Sequence, residues 1–328
     1  MTTPKFAIRA YAESDVPRGG RSDSFRLDQG RSHSVQTSIM KRSLRWLGLI
    51  AVSAAVLFVG VSWIYAQRLT RARPSVIGAP PRDFPYPMES ITFTTRDEYT
   101  LSGWLVPAEK RERAIVLLHG FGGTRNQMMP RARFFRELGY TALLYDARAC
   151  GESTGVSVSF GYREREDLIA AVRFLKERGH RDIACLGVSQ GGATILFAAE
   201  ELQDVKCVIC ESVYDDMRHA VDRRMRRYTL LPGWLGACAM VPFAEHRLEL
   251  SIDEVRPVDY VGKLRCPLLV ISGDRDRRTW PEDTRRLFDA AREPKELWMI
   301  EGAEHEDLYH FAGYEEKVGR FLRCALEP

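Results

Sequence analysis

Beyond residue 88 the chain alternates between two periods. Short, almost wholly apolar runs (AIVLLHG at 114–120, YTALLYDAR at 140–148, IACLGVS at 183–189, CVICES at 207–212, PLLVISGD at 267–274, ELWMIEGAEH at 296–305) are separated by longer segments. In those segments, near 125–138, 163–178, 191–202, 281–292 and 311–324, apolar residues recur every three to four positions. Strands apolar on both faces, spaced by amphipathic helices, predict a mainly parallel sheet covered on both sides. Ahead of them, SITFTTRDEYTLSGWLVPA (90–108) holds two alternating runs around a polar turn, the pattern of an antiparallel hairpin. From Glu211 to Cys266 no strand pattern occurs, which predicts a cap inserted at about 212–265.

The first 87 residues are patterned differently. Residues 1–39 are polar, without a sustained apolar period, and read as a disordered tail. From Trp46 to Ala66 there is no charge over 21 residues. As a helix this spans about 31 Å, close to a hydrocarbon core of roughly 30 Å. Trp46, Trp63 and Tyr65 stand where interfacial aromatics belong. A cleaved signal peptide would have a shorter core and small residues at its end; Ile64-Tyr65-Ala66 does not fit, so 46–66 is read as an uncleaved transmembrane signal-anchor. Met40-Lys41-Arg42 has the form of a signal-anchor start, giving the expectation that translation begins at Met40. Five Lys/Arg lie within 22–45 against four within 67–86. That balance favours a cytoplasmic N-terminus and a body outside the cytoplasm, on the periplasmic side of a Gram-negative cell. Residues 67–87, rich in proline, read as a stiff, extended linker.

Charge adds one exclusion. The net charge is +4, but residues 1–45 hold nine Lys/Arg and four Asp/Glu of totals of 48 and 44. The body is thus nearly neutral, without the basic face that nucleic-acid binding needs. Cys207 and Cys210 form a CxxC, yet on a strand they point to opposite faces and are read as buried apolar residues.

Chemistry gathers at strand ends, where parallel sheets bind ligands. The run 183–189 leads into GVSQGG (187–192), a G-x-S-x-G with an apolar strand before it and a helical pattern after it. A sharp strand-to-helix turn exposes Ser189 as a nucleophile. Gly187 and Gly191 clear the turn, and Gly192 lets the helix approach the strand. LLHGFGGT (117–124) supplies a glycine turn whose Phe121 N–H, with that of Gln190, is placed to hold an oxyanion, each such donor being worth ~3 kcal/mol; His119 itself reads as structural. After PLLVISGD the spacing from Gly273 points to Asp276 as the acid, with Asp274 shaping the turn. His305 follows the last strand as the base, while His310 belongs to the next helix. The order Ser189, Asp276, His305 is that of a nucleophile-elbow triad. His33, His180, His219 and His246 lie in the tail, beside a turn and in the cap. HEDLYH (305–310) misses the zinc-binding HExxH by one residue, and no other cluster has ligand spacing, so neither metal nor cofactor is expected.

LLHGFGG, YDARACGES, GVSQGG, CESVYDD, RPVDYVGKLRCPLLVISGDRD and EGAEHED resemble the alpha/beta-hydrolase superfamily from about residue 88 to 328. The likeness is greatest to a serine aminopeptidase-like and acyltransferase-like branch with membrane-anchored members. It implies an α/β fold, a mostly parallel eight-stranded sheet with helices on both faces and a cap. It further implies hydrolysis of an ester, thioester or amide through a serine acyl-enzyme, with a small-molecule or lipid acyl substrate. One turn departs from the branch: Ala149 stands where D-x-R-G-x-G-x-S has its first glycine. The rival readings are an aminopeptidase-like amide hydrolase, a non-catalytic interaction protein and a peroxidase-like use of the same residues. A dehalogenase would need an aspartate in place of Ser189. The cap's Arg218, Arg223, Arg224, Arg226 and Arg227, ahead of an apolar run with Trp234, fit either a membrane-surface helix or an ordinary solvated basic face.

Overall fold

A computed structural model describes residues 29–109, 112–228 and 233–326. Eight strands form one sheet: β1 (Glu89–Thr94), β2 (Thr100–Val106), β3 (Arg113–Leu118), β4 (Thr141–Tyr145), β5 (Asp182–Val188), β6 (Val205–Glu211), β7 (Leu268–Gly273) and β8 (Lys295–Ile300). Their order is β8-β7-β6-β5-β3-β4-β2-β1. Strand β2 runs antiparallel to β1 and β4; every other pairing is parallel. The helices are α1 (Gln29–Thr70), α2 (Met129–Glu137), α3 (Arg165–Glu177), α4 (Gln190–Phe197), α5 (Met217–Tyr228), α6 (Gly233–Leu248), the single turn α7 (Val258–Val261), α8 (Pro281–Ala290) and α9 (Tyr314–Leu326).

Alternation along each strand divides the core. Ala114, Val116, Ile183, Cys185, Val208 and Cys210 pack under α3, α4 and α8. Ile115, Leu117, Ala184, Leu186, Cys207 and Ile209 pack under α2 and α9. Cys207 and Cys210 therefore lie on opposite faces, both fully buried, and burial pushes both thiols well up. Each fully buried aliphatic side chain stabilises this arrangement by about 1.5–3 kcal/mol. The chain leaves β3 toward β4 on one side and returns to β5 on the other. This switch point opens a crevice at the strands' carboxyl ends. The segment between β6 and β7 is helical, α5 to α7.

Two expectations about the N-terminal part need correction. Helix α1 begins at Gln29, so residues 29–39 are helical; residues 1–28 of the expected tail lie outside the described residues. No proline interrupts 29–46, and extending a long helix costs far less than starting one. Nor is 67–87 a linker throughout. The helix continues to Thr70, with Ser62, Ala66 and Thr70 buried at helical spacing. The segment after it is pinned by its backbone: Ala72 donates to the Val156 carbonyl (3.2 Å), Arg73 to that of Ala149 (2.6 Å) and Ser75 to that of Gly151 (2.9 Å). The N–H groups of Ile77 and Gly78 both donate to Glu152 Oε1. Composition suggested a spacer, but strand-like pairing supplies partners for these donors. Elsewhere on α1, Leu44, Leu47, Ile50, Val52, Val56 and Leu57 are more than half exposed.

Candidate active site

Three strand ends bring the sequence-identified residues into the crevice. Ser189 follows β5 with φ 52° and ψ −111°, a left-handed backbone that a non-glycine residue adopts at a cost. Its N–H donates to the Glu211 carbonyl at the end of β6 (2.7 Å). The glycines around it have separate reasons. A Cβ on Gly187 would lie 2.3 Å from the Gly191 carbonyl carbon, where the chain doubles back. One on Gly191 would meet the Leu118 carbonyl oxygen at 2.4 Å, and one on Gly192 the Val213 side chain at 2.2 Å. The helix thus approaches its own strand, β3 and the chain beyond β6 at once.

His305, in the loop after β8, brings Nε2 to 3.0 Å from Ser189 Oγ. Its Nδ1 lies 2.7 Å from Asp276 Oδ2. The other Asp276 oxygen accepts the N–H groups of Arg278 (2.8 Å) and Thr279 (2.9 Å), which fixes the carboxylate in its turn. Asp276 and His305 are buried. Asp274 is exposed and accepts the Gly302 N–H (2.7 Å), tying the β7 turn to the end of β8. His310 is exposed in a single helical turn, Leu308–His310, ahead of α9.

The loop after β3 closes the crevice. A Cβ on Gly120 would lie 3.7 Å from that of Ser189, so this turn abuts the serine. Among the described residues, neither the Phe121 nor the Gln190 N–H has an acceptor in a turn or side chain. His119 is buried and neutral: burial holds its pKa below the ordinary value, partly offset by its bond to Gly120. Its Nδ1 lies 2.8 Å from the Gly120 carbonyl and its Nε2 accepts the Ala147 N–H at 3.0 Å, which sets the proton on Nδ1.

Three buried charge groups escaped the sequence reading. Beneath Ser189, the Glu211 carboxylate bonds Arg131 (Nε at 3.2 Å, Nη2 at 2.5 Å) and accepts from the Tyr314 hydroxyl. Burial alone would lower the Arg131 pKa, but Glu211 beside it holds the guanidinium ionised. Burial, then the Glu211 charge, push the Tyr314 phenol up, so it stays a donor. Beside the β3 loop, Asp146 accepts the Arg125 N–H (2.7 Å) and Nη1 (2.8 Å), while Arg125 also pairs with Glu152. Arg148 is bound by Asp167 and Asp97. The only sequence signal was a charge closing an otherwise apolar strand, as in CVICES and LLYDAR.

One cluster has the donor types of a metal site: Asp215, His219 and Asp283 offer ligand atoms within 4.8 Å of one another. Arginines already occupy it. Arg286 Nε lies 2.7 Å from Asp215, Arg286 also bonds Asp283, and Arg223 pairs with Asp283. A divalent cation would have to displace two guanidiniums, so these residues do not fit one.

Comparison with known proteins agrees with this architecture. The pattern of the family described as "Alpha/beta hydrolase family" matches residues 115–318. The uncharacterised protein YqkD of Bacillus subtilis (strain 168) is 28% identical over 234 residues, 68% of this chain and 75% of its own. The polyketide transferase grgF of Penicillium sp. is 27% identical over 282 residues, 72% of this chain and 95% of its own. Among solved structures, the Pyrococcus furiosus esterase Pf2001 superposes with a TM-score of 0.64 at 26% identity, covering 77% of this chain and 98% of that one.

Proposed function

Since the chain belongs to the alpha/beta hydrolase family, we propose that it is a membrane-anchored serine hydrolase that cleaves carboxylic esters through an acyl-enzyme. One observation carries this reading: the unbroken line of contacts from Ser189 Oγ through His305 to Asp276. His305 Nε2 takes the proton as Ser189 Oγ attacks the carbonyl. Asp276, fixed by two backbone N–H groups, keeps the other ring nitrogen protonated and stabilises the imidazolium. The Phe121 and Gln190 N–H groups hold the oxyanion. His305 then protonates the leaving alcohol, and water activated by the same ring releases the acyl group. The esterase Pf2001 supports the ester assignment.

The likeness to a polyketide transferase favours a second reading, in which an alcohol or amine takes the acyl group from the same serine. Helix residues 46–66 are the membrane anchor, supported by their exposed apolar side chains, with the catalytic body outside the cytoplasm.

Labelling by a fluorophosphonate and a panel of acyl esters, thioesters and aminoacyl amides test the mechanism on wild type and Ser189→Ala. The substitution is expected to abolish labelling and lower kcat at least about 10⁴-fold; activity that survived it would refute the assignment. Added alcohol or amine acceptors, with products analysed, separate transfer from hydrolysis. Retention in membranes after alkaline carbonate, and protease access from outside intact cells, test the anchor and its direction.

A further inference from the structure

Phe121, whose N–H is assigned to the oxyanion, has a side chain with its own setting. The ring packs against the cluster of Ala149, Cys150 and Val158 and stacks on Phe160 at 5.4 Å. Two guanidiniums converge on it, Arg73 at 4.6 Å from the ring centroid and Arg224 of the cap at 5.8 Å. Arg73 also covers the next residue: a Cβ on Gly122 would lie 3.5 Å from its Nη1. The backbone pairing of 72–75 with 149–156 holds Arg73 there, three residues beyond the end of α1.

The partners of Arg73 set it apart. Arg125, Arg131 and Arg148, the buried arginines around the crevice, each pair with a buried carboxylate. Arg73 pairs with none among the described residues. Its Nη2 donates to the Arg68 carbonyl (3.2 Å), and its buried Nε has no acceptor. A half-buried guanidinium keeps unspent donors and full charge, and its planar fork matches phosphate and carboxylate oxygens. The cation–π contact offsets only part of the lost hydration.

Resting on the serine-hydrolase reading, we propose that Arg73, joined by Arg224, binds a phosphate or carboxylate carried by the substrate near its scissile carbonyl. The preferred substrates are then acyl esters of anionic alcohols. Arg73 is a specificity residue and takes no part in proton transfer. The anion has two sources, a lipid headgroup or a soluble ester.

The test uses the full chain in detergent with two esters of one acyl group, glycerol monobutyrate and butyryl glycerol 3-phosphate. Wild type is expected to favour the phosphate ester at least tenfold in kcat/KM. Arg73→Gln should raise KM for that ester about tenfold and leave the neutral ester within threefold. Arg73→Lys should restore part of the preference, and Arg224→Gln should weaken it less. Inorganic phosphate should compete with the neutral ester in wild type and not in Arg73→Gln. Equal use of both esters by wild type would overturn the proposal. So would an Arg73→Gln loss that falls equally on both esters through kcat, which would reduce Arg73 to a support of the loop. Wild type that cleaves neither ester and resists fluorophosphonate labelling would instead sink the hydrolase reading beneath it. With the preference present, faster cleavage of a long-chain acyl glycerol 3-phosphate in phosphatidylcholine vesicles than of the soluble ester identifies a lipid headgroup; the reverse identifies a soluble one.

Discussion

The crevice has two walls built on opposite principles. On the Ser189 side the chain meets itself through backbone, and the glycines at 187, 191 and 192 leave no room for a single added carbon. On the side of the β3 and β4 loops the contacts are ionic: Arg125 with Asp146, and Arg148 with Asp167 and Asp97. The first wall fails when an atom is added, and the second when a charge is lost. The glycines of the first wall stand within six consecutive positions, 187 to 192, although what they make room for includes Leu118 and Val213; each ion pair of the second joins residues 19 to 51 positions apart.

The largest effect expected from breaking this contrast is on the ionic wall. Arg125→Met leaves Asp146 buried without its cation, at a cost of about 3–5 kcal/mol in urea unfolding. Adding Asp146→Asn should recover part of it; a double variant no more stable than the single one would mean that packing, not charge, is lost. On the steric wall, Gly191→Ala drives a methyl into the Leu118 carbonyl and should cost about 3 kcal/mol with a fall in kcat. An unchanged melting curve would show the backbone there to be yielding.

His119 lies on the seam between the walls and makes it sensitive to acid. Its folded pKa is below the unfolded value, so the unfolded chain takes up a proton that the folded chain refuses. Stability is therefore full above about pH 6.5 and declines on acidification by up to about 1.4 kcal/mol per pH unit until the folded pKa is reached. Urea midpoints at pH 7.5 and 5.5 should show a shallower decline for His119→Gln. The smallest effect is at Ala149, held at φ 60° where the resemblance expects glycine. Ala149→Gly relieves a left-handed alanine and should add about 0.5–1 kcal/mol; a loss would mean that the methyl's contact with Val158 and Cys150 outweighs the strain.

The same contrast explains what the sequence disclosed. Strand runs and the glycine spacing around Ser189 are local, so the sheet, the elbow and the strand ends carrying Asp276 and His305 were legible. The helical segment between β6 and β7 showed as an interval without strands. The Arg131–Glu211–Tyr314 group was not legible, because Glu211 and Tyr314 stand 103 residues apart and nothing near either names the other. The docking of residues 72–78 was hidden by their proline-rich composition, since it depends on backbone donors and one distant glutamate.

Glu211 has a consequence in time. Its carbonyl accepts the Ser189 N–H, while its carboxylate accepts from Tyr314 in the last helix. During synthesis the elbow at 187–192 leaves the ribosome long before the residues that complete its support. A nascent chain that has passed Ser189 but not Tyr314 carries the serine without the brace behind it, and before residue 305 it also lacks the histidine. On the mechanism proposed above, the serine cannot act until translation has gone past both.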